Sequence, residues 1–278
     1  MGSQTIINAI AEQEWLDSIS DPLQKAVQDV LPREIKNFLN GTWLGHPLHP
    51  VLTDIPIGAW TMAVVLDLIG ADDAADAAIA VGLLGAVGAA VTGLTDWSDT
   101  YDRGRKVGVV HAMMNVAATA LYGTSLVMRR GKSRSAGVTL SMLGYVLSGA
   151  AAYLGGHLVF GEQIGVDHTA TADSSKPEKF TKVMAVGELR ENTPTLADAD
   201  GVPIVLVRRG ERIFALTNTC PHLGGPLAEG KLVGDAIQCP WHQSELALED
   251  GSIVNGPTTF PARCFDVRVR AGQIEVRK

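Results

Sequence analysis

The sequence predicts a multidomain α + β protein, in which a four-helix transmembrane bundle is followed by a small all-β domain. Two observations support this fold class. Residues 46–161 contain four apolar stretches separated by short charged loops, and from residue 180 onward short β-like segments are separated by turns. The 278 residues leave room for about two domains. The net charge of −7 argues against a nucleic-acid partner, which would require a basic surface.

Residues 1–45 are predicted to form an amphipathic N-terminal segment. We expect a surface helix from Asp21 to about Asn40, interrupted near Pro32. The first fifteen residues have neither a basic start nor a long apolar core, so no cleavable signal peptide is expected.

Residues 46–161 are predicted to form the transmembrane domain. Its apolar stretches run from Ile55 to Ala71, Ala77 to Thr95, Val107 to Met128 and Ala136 to Phe160. A helix needs about 20 mostly apolar residues to cross about 30 Å of hydrocarbon, and these stretches come close to that length. Charged residues are almost absent from them, Asp67 being the exception, and the high Ala and Gly content suits close helix contacts in a membrane. A soluble bundle of buried Ala- and Gly-rich helices is the alternative.

A polar linker at residues 162–179 leads to a predicted β domain at residues 180–278. The segments bounded by Gly- or Pro-containing turns are typical of short strands. The predicted strands are Val183–Val186, Val202–Arg208, Arg212–Leu216, Ala236–Gln238, Cys264–Arg270 and Gln273–Val276.

Two short motifs within this domain carry the candidate metal ligands. Cys220-x-His222 is followed after sixteen residues by Cys239-x-x-His242. Two mixed Cys/His pairs suit a 2Fe-2S cluster in which thiolates bind one iron and imidazoles bind the other. A Cys2His2 zinc site uses the same ligand types, although zinc motifs of that class usually group Cys with Cys and His with His. Because the chain has three cysteines, no disulfide framework is expected.

On these two motifs, residues 180–278 resemble a Rieske domain. The resemblance implies a β-sandwich in which two loops hold the cluster and both histidine ligands face solvent, where a redox partner protein would make contact. Asn255–Gly256–Pro257 resembles the proline-containing loop that covers the cluster in this family.

Departures from the family pattern indicate a subtype. Gly225 and Trp241 stand where quinol-oxidising members carry two cysteines that form a disulfide. Ser244 matches a hydrogen-bond donor of the high-potential members, but Leu246 replaces their tyrosine. We therefore expect a potential in the lower part of the roughly −150 to +300 mV Rieske range. The CPWH motif resembles a Rieske-type ferredoxin or the ferredoxin component of an oxygenase more than a quinol oxidase subunit. We expect an electron-transfer component rather than a complete enzyme, and no catalytic residue is assigned.

The helical half carries four further histidines, His46, His49, His111 and His157, all near the predicted ends of spans on one face of the membrane. Ionisable residues at membrane depth often mark function. Three interpretations stay open: axial ligands of a haem b, ligands of another metal ion, or residues that cap helix ends. His111 and His157 are the better haem candidates because they lie on predicted spans.

The segment HPLHPVLTDIPIGAW resembles the opening of a bacterial family of four-span membrane domains of uncharacterised function, over about residues 40–160. We expect a multi-pass protein of the bacterial inner membrane, with the Rieske-like domain on the cytoplasmic side. Three functions are considered: an electron-transfer component of a membrane oxidoreductase, a ferredoxin tethered by an inert anchor, and a redox or metal sensor.

Overall fold

The computed structural model describes residues 3–131, 133–171 and 176–278, so residues 172–175 of the predicted linker lie outside the described residues. Within the described part of the chain, seven helices precede ten strands. The helices are α1 Ser3–Ala11, α2 Trp15–Val30, α3 Arg33–Asn40, α4 Leu48–Leu68, α5 Asp72–Trp97, α6 Asp102–Arg130 and α7 Arg134–Phe160. The strands are β1 Thr181–Ala185, β2 Thr195–Ala199, β3 Val202–Arg209, β4 Arg212–Thr217, β5 Lys231–Val233, β6 Ala236–Gln238, β7 Glu245–Ala247, β8 Ile253–Asn255, β9 Asp266–Arg270 and β10 Gln273–Arg277.

The chain divides into two compact units, and each unit is formed by two separate stretches of the sequence. The helical unit comprises Met1–Pro32 and Pro47–Ile164, and the β unit comprises Arg33–His46 and Gly165–Lys278. The predicted N-terminal helix is therefore two helices, α2 and α3, which belong to different units. The break falls at Leu31 and Pro32, where proline cannot donate the main-chain hydrogen bond that a continuing helix requires.

In the described part of the chain, three helices are long and apolar enough to cross a membrane: α4, α5 and α7. The fourth predicted span corresponds to α6, which has 29 residues but falls short in composition. Charged residues fill most of its first turn, and His111 and Asn115 lie in its interior. The structure thus supports a membrane domain, while the crossing by α6 remains a prediction.

The hairpin α4–α5 is repeated by the hairpin α6–α7 at a constant offset of 62 residues, as from His49 to His111. The two hairpins also share a contact between a histidine ring and a main-chain carbonyl. The Nδ1 atom of His49 lies 2.8 Å from the Ala89 carbonyl, and that of His111 lies 2.8 Å from the Ala151 carbonyl. Ala151 follows Ala89 by the same 62 residues, so the two hairpins make this contact at equivalent positions.

Side chains of α4 and α6 meet at two places along a line that we call the seam, and the residues that meet there occupy equivalent positions of the repeat. The rings of Trp60 and Tyr122 stack with centroids 4.0 Å apart. Two turns further along, the buried Arg129 guanidinium forms an ion pair with Asp67. Because each pair joins equivalent positions, the helical unit has an internal pseudo-twofold arrangement.

The β unit contains three antiparallel sheets with the strand orders β1-β10-β9, β2-β3-β4 and β5-β6-β7-β8. In β3 and β4, Ile204 pairs with Thr217 and Arg209 with Arg212, which fixes a tight hairpin. The core beneath the third sheet contains Ile237 and Leu246, both fully buried. Cys220 and Cys239 belong to the same core cluster, so the packing that stabilises the domain also fixes the bases of the two motif loops.

Candidate metal centre

The two motif loops have the same local construction, and each begins at a cysteine. In the first, which follows β4, the Cys220 N–H donates to Gly225 O at 2.8 Å and the Gly224 N–H donates to Cys220 O at 2.9 Å. In the second, between β6 and β7, the Cys239 N–H donates to Ser244 O at 2.8 Å. These main-chain bonds close each loop around its histidine.

The two cysteines lie together on the inner side of the site. Cys220 and Cys239 are fully buried, and their sulfur atoms share a hydrogen bond. The bond from Cys220 lowers the pKa of Cys239 to about 7, whereas the same bond raises the pKa of Cys220 well above its ordinary value, and burial adds to that rise. One thiolate therefore forms readily near neutral pH, and thiolate is the form that binds iron.

The two histidines lie together on the outer side. The Nδ1 atoms of His222 and His242 are 3.2 Å apart, the ring centroids are 4.8 Å apart, and both rings are half-buried. Burial lowers the pKa of His242 to about 4 and that of His222 well below its ordinary value. Both imidazoles are therefore neutral at pH 7, which is the form that coordinates a metal.

The four predicted ligands thus converge as two pairs. Within the described residues, no three His, Cys, Asp or Glu side chains are arranged around a single metal ion. A tetrahedral zinc site would need all four groups on one ion. One thiol pair beside one imidazole pair instead fits a two-iron cluster with different ligands on each iron.

The surroundings of the thiol pair are tightly packed. A Cβ atom added to Gly225 would lie 2.8 Å from the Cys239 sulfur and 3.1 Å from the Trp241 ring, so glycine is required there. Gly225 and Trp241 face each other at the positions where the resemblance places a disulfide in other members. The buried Ser244 hydroxyl hydrogen-bonds Cys220, while Leu246 is buried in the apolar core and offers no donor.

Several residues beside the motif loops were not identified from the sequence. The Arg33 guanidinium on α3 donates to Gln243 O at 2.7 Å and lies 2.9 Å from Glu245 Oε1. The Asn37 amide donates to Asn255 Oδ1, and its oxygen accepts the Gly256 N–H, both at 2.9 Å. About 200 residues separate these partners, and no motif in the sequence links them.

Two basic or titratable side chains also act on the histidine pair. The positive charge of Lys36 on α3 lowers the pKa of both His222 and His242, after the larger effect of burial. His168 in the linker lies near the first loop, where its main-chain N–H donates to Pro221 O at 3.0 Å.

The four histidines predicted for the helical half have different surroundings. His49 and His111 lie within electrostatic range of each other in the helical unit. His157 has a different partner, since its Nε2 atom lies 3.0 Å from Glu162 Oε1. His46 belongs to the β unit. That His111 and His157 are the better haem candidates stays a prediction.

Comparisons with known proteins agree with the division of the chain into a helical part and a β part. Residues 179–266 match the family described as the Rieske 2Fe-2S domain, and residues 45–168 match a family described as a predicted membrane protein, DUF2231. The ferredoxin subunit of anthranilate 1,2-dioxygenase from Burkholderia cepacia is 33% identical over 92 residues, covering 33% of this chain and 85% of the relative. Ferredoxin CarAc of Metapseudomonas resinovorans is 32% identical over 98 residues, covering 35% of this chain and 92% of the relative. Among solved structures, the ferredoxin of carbazole 1,9a-dioxygenase from Nocardioides aromaticivorans IC177 is 29% identical with a TM-score of 0.35, covering 36% of this chain and 97% of that one.

Proposed function

Because the chain belongs to the Rieske 2Fe-2S family, we propose that it is a membrane-bound electron-transfer protein whose cluster is held by Cys220, His222, Cys239 and His242. In this assignment the two cysteines bind one iron and the two histidines bind the other. The observation that carries it is the separation of a buried thiol pair from a half-exposed imidazole pair. The bound cluster supplies one-electron chemistry.

Each neighbouring residue has a definite part in this function. The buried thiols fix the cluster to the domain core, and the half-buried neutral imidazoles hold its other edge. The Ser244 hydroxyl donates a hydrogen bond on the sulfur side. Since Leu246 adds no second donor, we expect a potential in the lower part of the Rieske range.

The half-exposed imidazoles are the proposed contact for a redox partner protein. The relative from Burkholderia is named as the ferredoxin subunit of a dioxygenase, which supports a role as the electron-transfer component of an oxidoreductase system. A ferredoxin tethered by an inert anchor is the alternative, and a redox or metal sensor is a third. Turnover with an added oxygenase or reductase would favour the first two, whereas partner-dependent shifts in midpoint potential without turnover would favour the sensor.

The helical unit is proposed to be a multi-pass domain of the bacterial inner membrane that places the β unit on the cytoplasmic side. Three apolar helices and the family match at residues 45–168 support the membrane assignment. A second redox centre there, a haem b or another metal held by histidines, is part of this proposal. Its support is the position of His49 and His111 at one end of the helices, the end at which α7 finishes.

Electron paramagnetic resonance of the dithionite-reduced full chain tests the cluster assignment. We expect a Rieske-type signal that is lost in His242→Ala and in Cys220→Ser, because each variant removes a ligand from one iron. Cys264→Ala is the matched control, since Cys264 lies outside both loops and should leave the signal unchanged. An unchanged spectrum in His242→Ala would overturn the ligand assignment.

A further inference from the structure

The internal repeat singles out one pair of histidines in the helical unit. Along the seam between α4 and α6, most equivalent positions carry different residues, such as Trp60 with Tyr122 and Asp67 with Arg129. Positions 49 and 111 are also equivalent, and both carry histidine. They lie about 16 Å along their helices from the stacked rings, given a rise of about 1.5 Å per residue.

Both imidazoles are fixed in the same orientation. Each Nδ1 atom lies 2.8 Å from a main-chain carbonyl, so each Nδ1–H donates and each Nε2 atom keeps its lone pair. Histidines that bind metals are commonly held by such a bond from the other ring nitrogen to a carbonyl. The Asn115 amide lies 3.1 Å from the Nε2 atom of His111 and 3.0 Å from the His111 carbonyl, so the carbonyl can retain it when Nε2 binds a ligand.

Two equivalent glycines make room for these rings. A Cβ atom added to Gly93 would lie 2.6 Å from Cε1 of His49, and one added to Gly155 would lie 3.0 Å from Cε1 of His111. The end of the bundle is also covered: Ile7 of α1 is fully buried and packs with Val107 and Leu154. Both imidazoles are half-buried.

The ligand set indicates the kind of metal centre. No third His, Cys, Asp or Glu joins His49 and His111 within the residues that the structure describes. Two imidazoles cannot complete the coordination of a zinc or non-haem iron ion, which takes three or four protein ligands. A haem supplies four nitrogens of its own and requires only axial ligands from the protein.

We propose that His49 and His111 are the two axial ligands of one haem b bound at the pseudo-twofold seam of the helical unit. The proposal deepens the second redox centre proposed above by naming its ligands and its chemistry. It does not depend on the cluster, because the two sites have separate spectroscopic signals.

The test is an optical spectrum and a pyridine haemochrome assay of the full chain, purified in detergent from cells supplied with a haem precursor. We expect a low-spin haem spectrum and loss of most of the bound haem in His49→Ala and in His111→Ala. His157→Ala is the matched control, because His157 lies at the same end of the bundle but interacts with Glu162, and it should retain the haem.

Folding is checked in the same samples by gel filtration and by the cluster's paramagnetic signal, which both variants should preserve. Titration of the purified protein with hemin is the second measurement. The proposal is overturned if neither the purified nor the hemin-titrated protein shows a low-spin haem, if haem is retained in both single variants, or if a non-haem metal ion occupies the site. Loss of the cluster signal with haem retained would instead count against the proposed function alone.

Discussion

At the scale of single residues, Glu245 connects the second motif loop to its surroundings. Its Oε1 atom accepts from Gln238 at 2.7 Å and lies 2.9 Å from Arg33, while Oε2 accepts from Asn255 at 2.6 Å. Burial alone would raise the pKa of this carboxyl, but the hydrogen bonds from Asn255 and Gln238 and the charge of Arg33 outweigh burial and lower the pKa. The carboxylate is therefore the form that the fold stabilises.

We expect Glu245→Gln to lower the free energy of unfolding of the β unit by about 1–3 kcal/mol at pH 7, because it removes the charged acceptor of these bonds. The folded pKa lies below the unfolded value of about 4.3, so this contribution is present above that pH and is lost as the pH falls through the folded pKa. Thermal unfolding followed by circular dichroism at pH 7 and at about pH 3, on the acid side of the unfolded pKa, checks this. The exposed Glu211→Gln is the control, and equal stability of the two variants at pH 7 would contradict the prediction.

At the scale of elements, α3 is the N-terminal contribution to the β unit. Asn37 bonds to both Asn255 and the Gly256 N–H, in the loop that resembles the family's proline-containing loop. Lys36, one residue earlier, places a positive charge where it acts on both histidines. A helix far from the motifs in sequence thus borders the proposed cluster.

Lys36→Gln should lower the reduction potential of the cluster, because a nearby positive charge favours the more negative reduced state. Coulomb's law at an effective dielectric constant of about 20 gives a change on the order of tens of millivolts. A redox titration monitored by paramagnetic resonance measures it. Lys182→Gln is the control, since Lys182 lies on β1 in a sheet that contributes neither motif loop. Identical midpoints for the two variants would show that Lys36 does not act on the cluster.

The elements also show which parts of the structure are readable from sequence. Long apolar stretches predicted α4, α5 and α7, and the Gly- and Pro-containing turns at their ends predicted β3 and β4. The three-residue strands β5, β7 and β8 are too short to show any period, and they were missed, as was the five-residue β2. The motif spacing identified the four candidate ligands, which the fold brings together. Arg33 and Asn37 could not be identified, since their contacts arise only from tertiary packing.

At the scale of the whole molecule, the repeat in the helical unit was missed because few of its paired positions share the same residue. The two hairpins share the positions of their contacts rather than the identities of their residues. The two hairpins meet through pairs of equivalent residues, and the pair at the end opposite the histidines is ionic. Asp67 and Arg129 are both nearly inaccessible, and Arg129 also bonds Ser125 and Ser141 and lies 3.3 Å from Asp76.

This buried pair should be a main determinant of how the two hairpins hold together. Asp67→Asn leaves the Arg129 charge with only its more distant carboxylate, and removing one partner of a buried pair costs roughly 3–5 kcal/mol. Asp72→Asn is the matched control, because Asp72 is exposed and its bond to Arg134 lies at the rim, where loss costs about 0–1 kcal/mol. Thermal unfolding in detergent, followed by fluorescence-detected size exclusion, compares the two.

The double variant Asp67→Arg with Arg129→Asp should recover part of the loss, since the pseudo-twofold arrangement places the exchanged charges opposite each other again. Equal stabilities for Asp67→Asn and Asp72→Asn would show instead that the hairpins are joined mainly by the apolar seam around Trp60 and Tyr122.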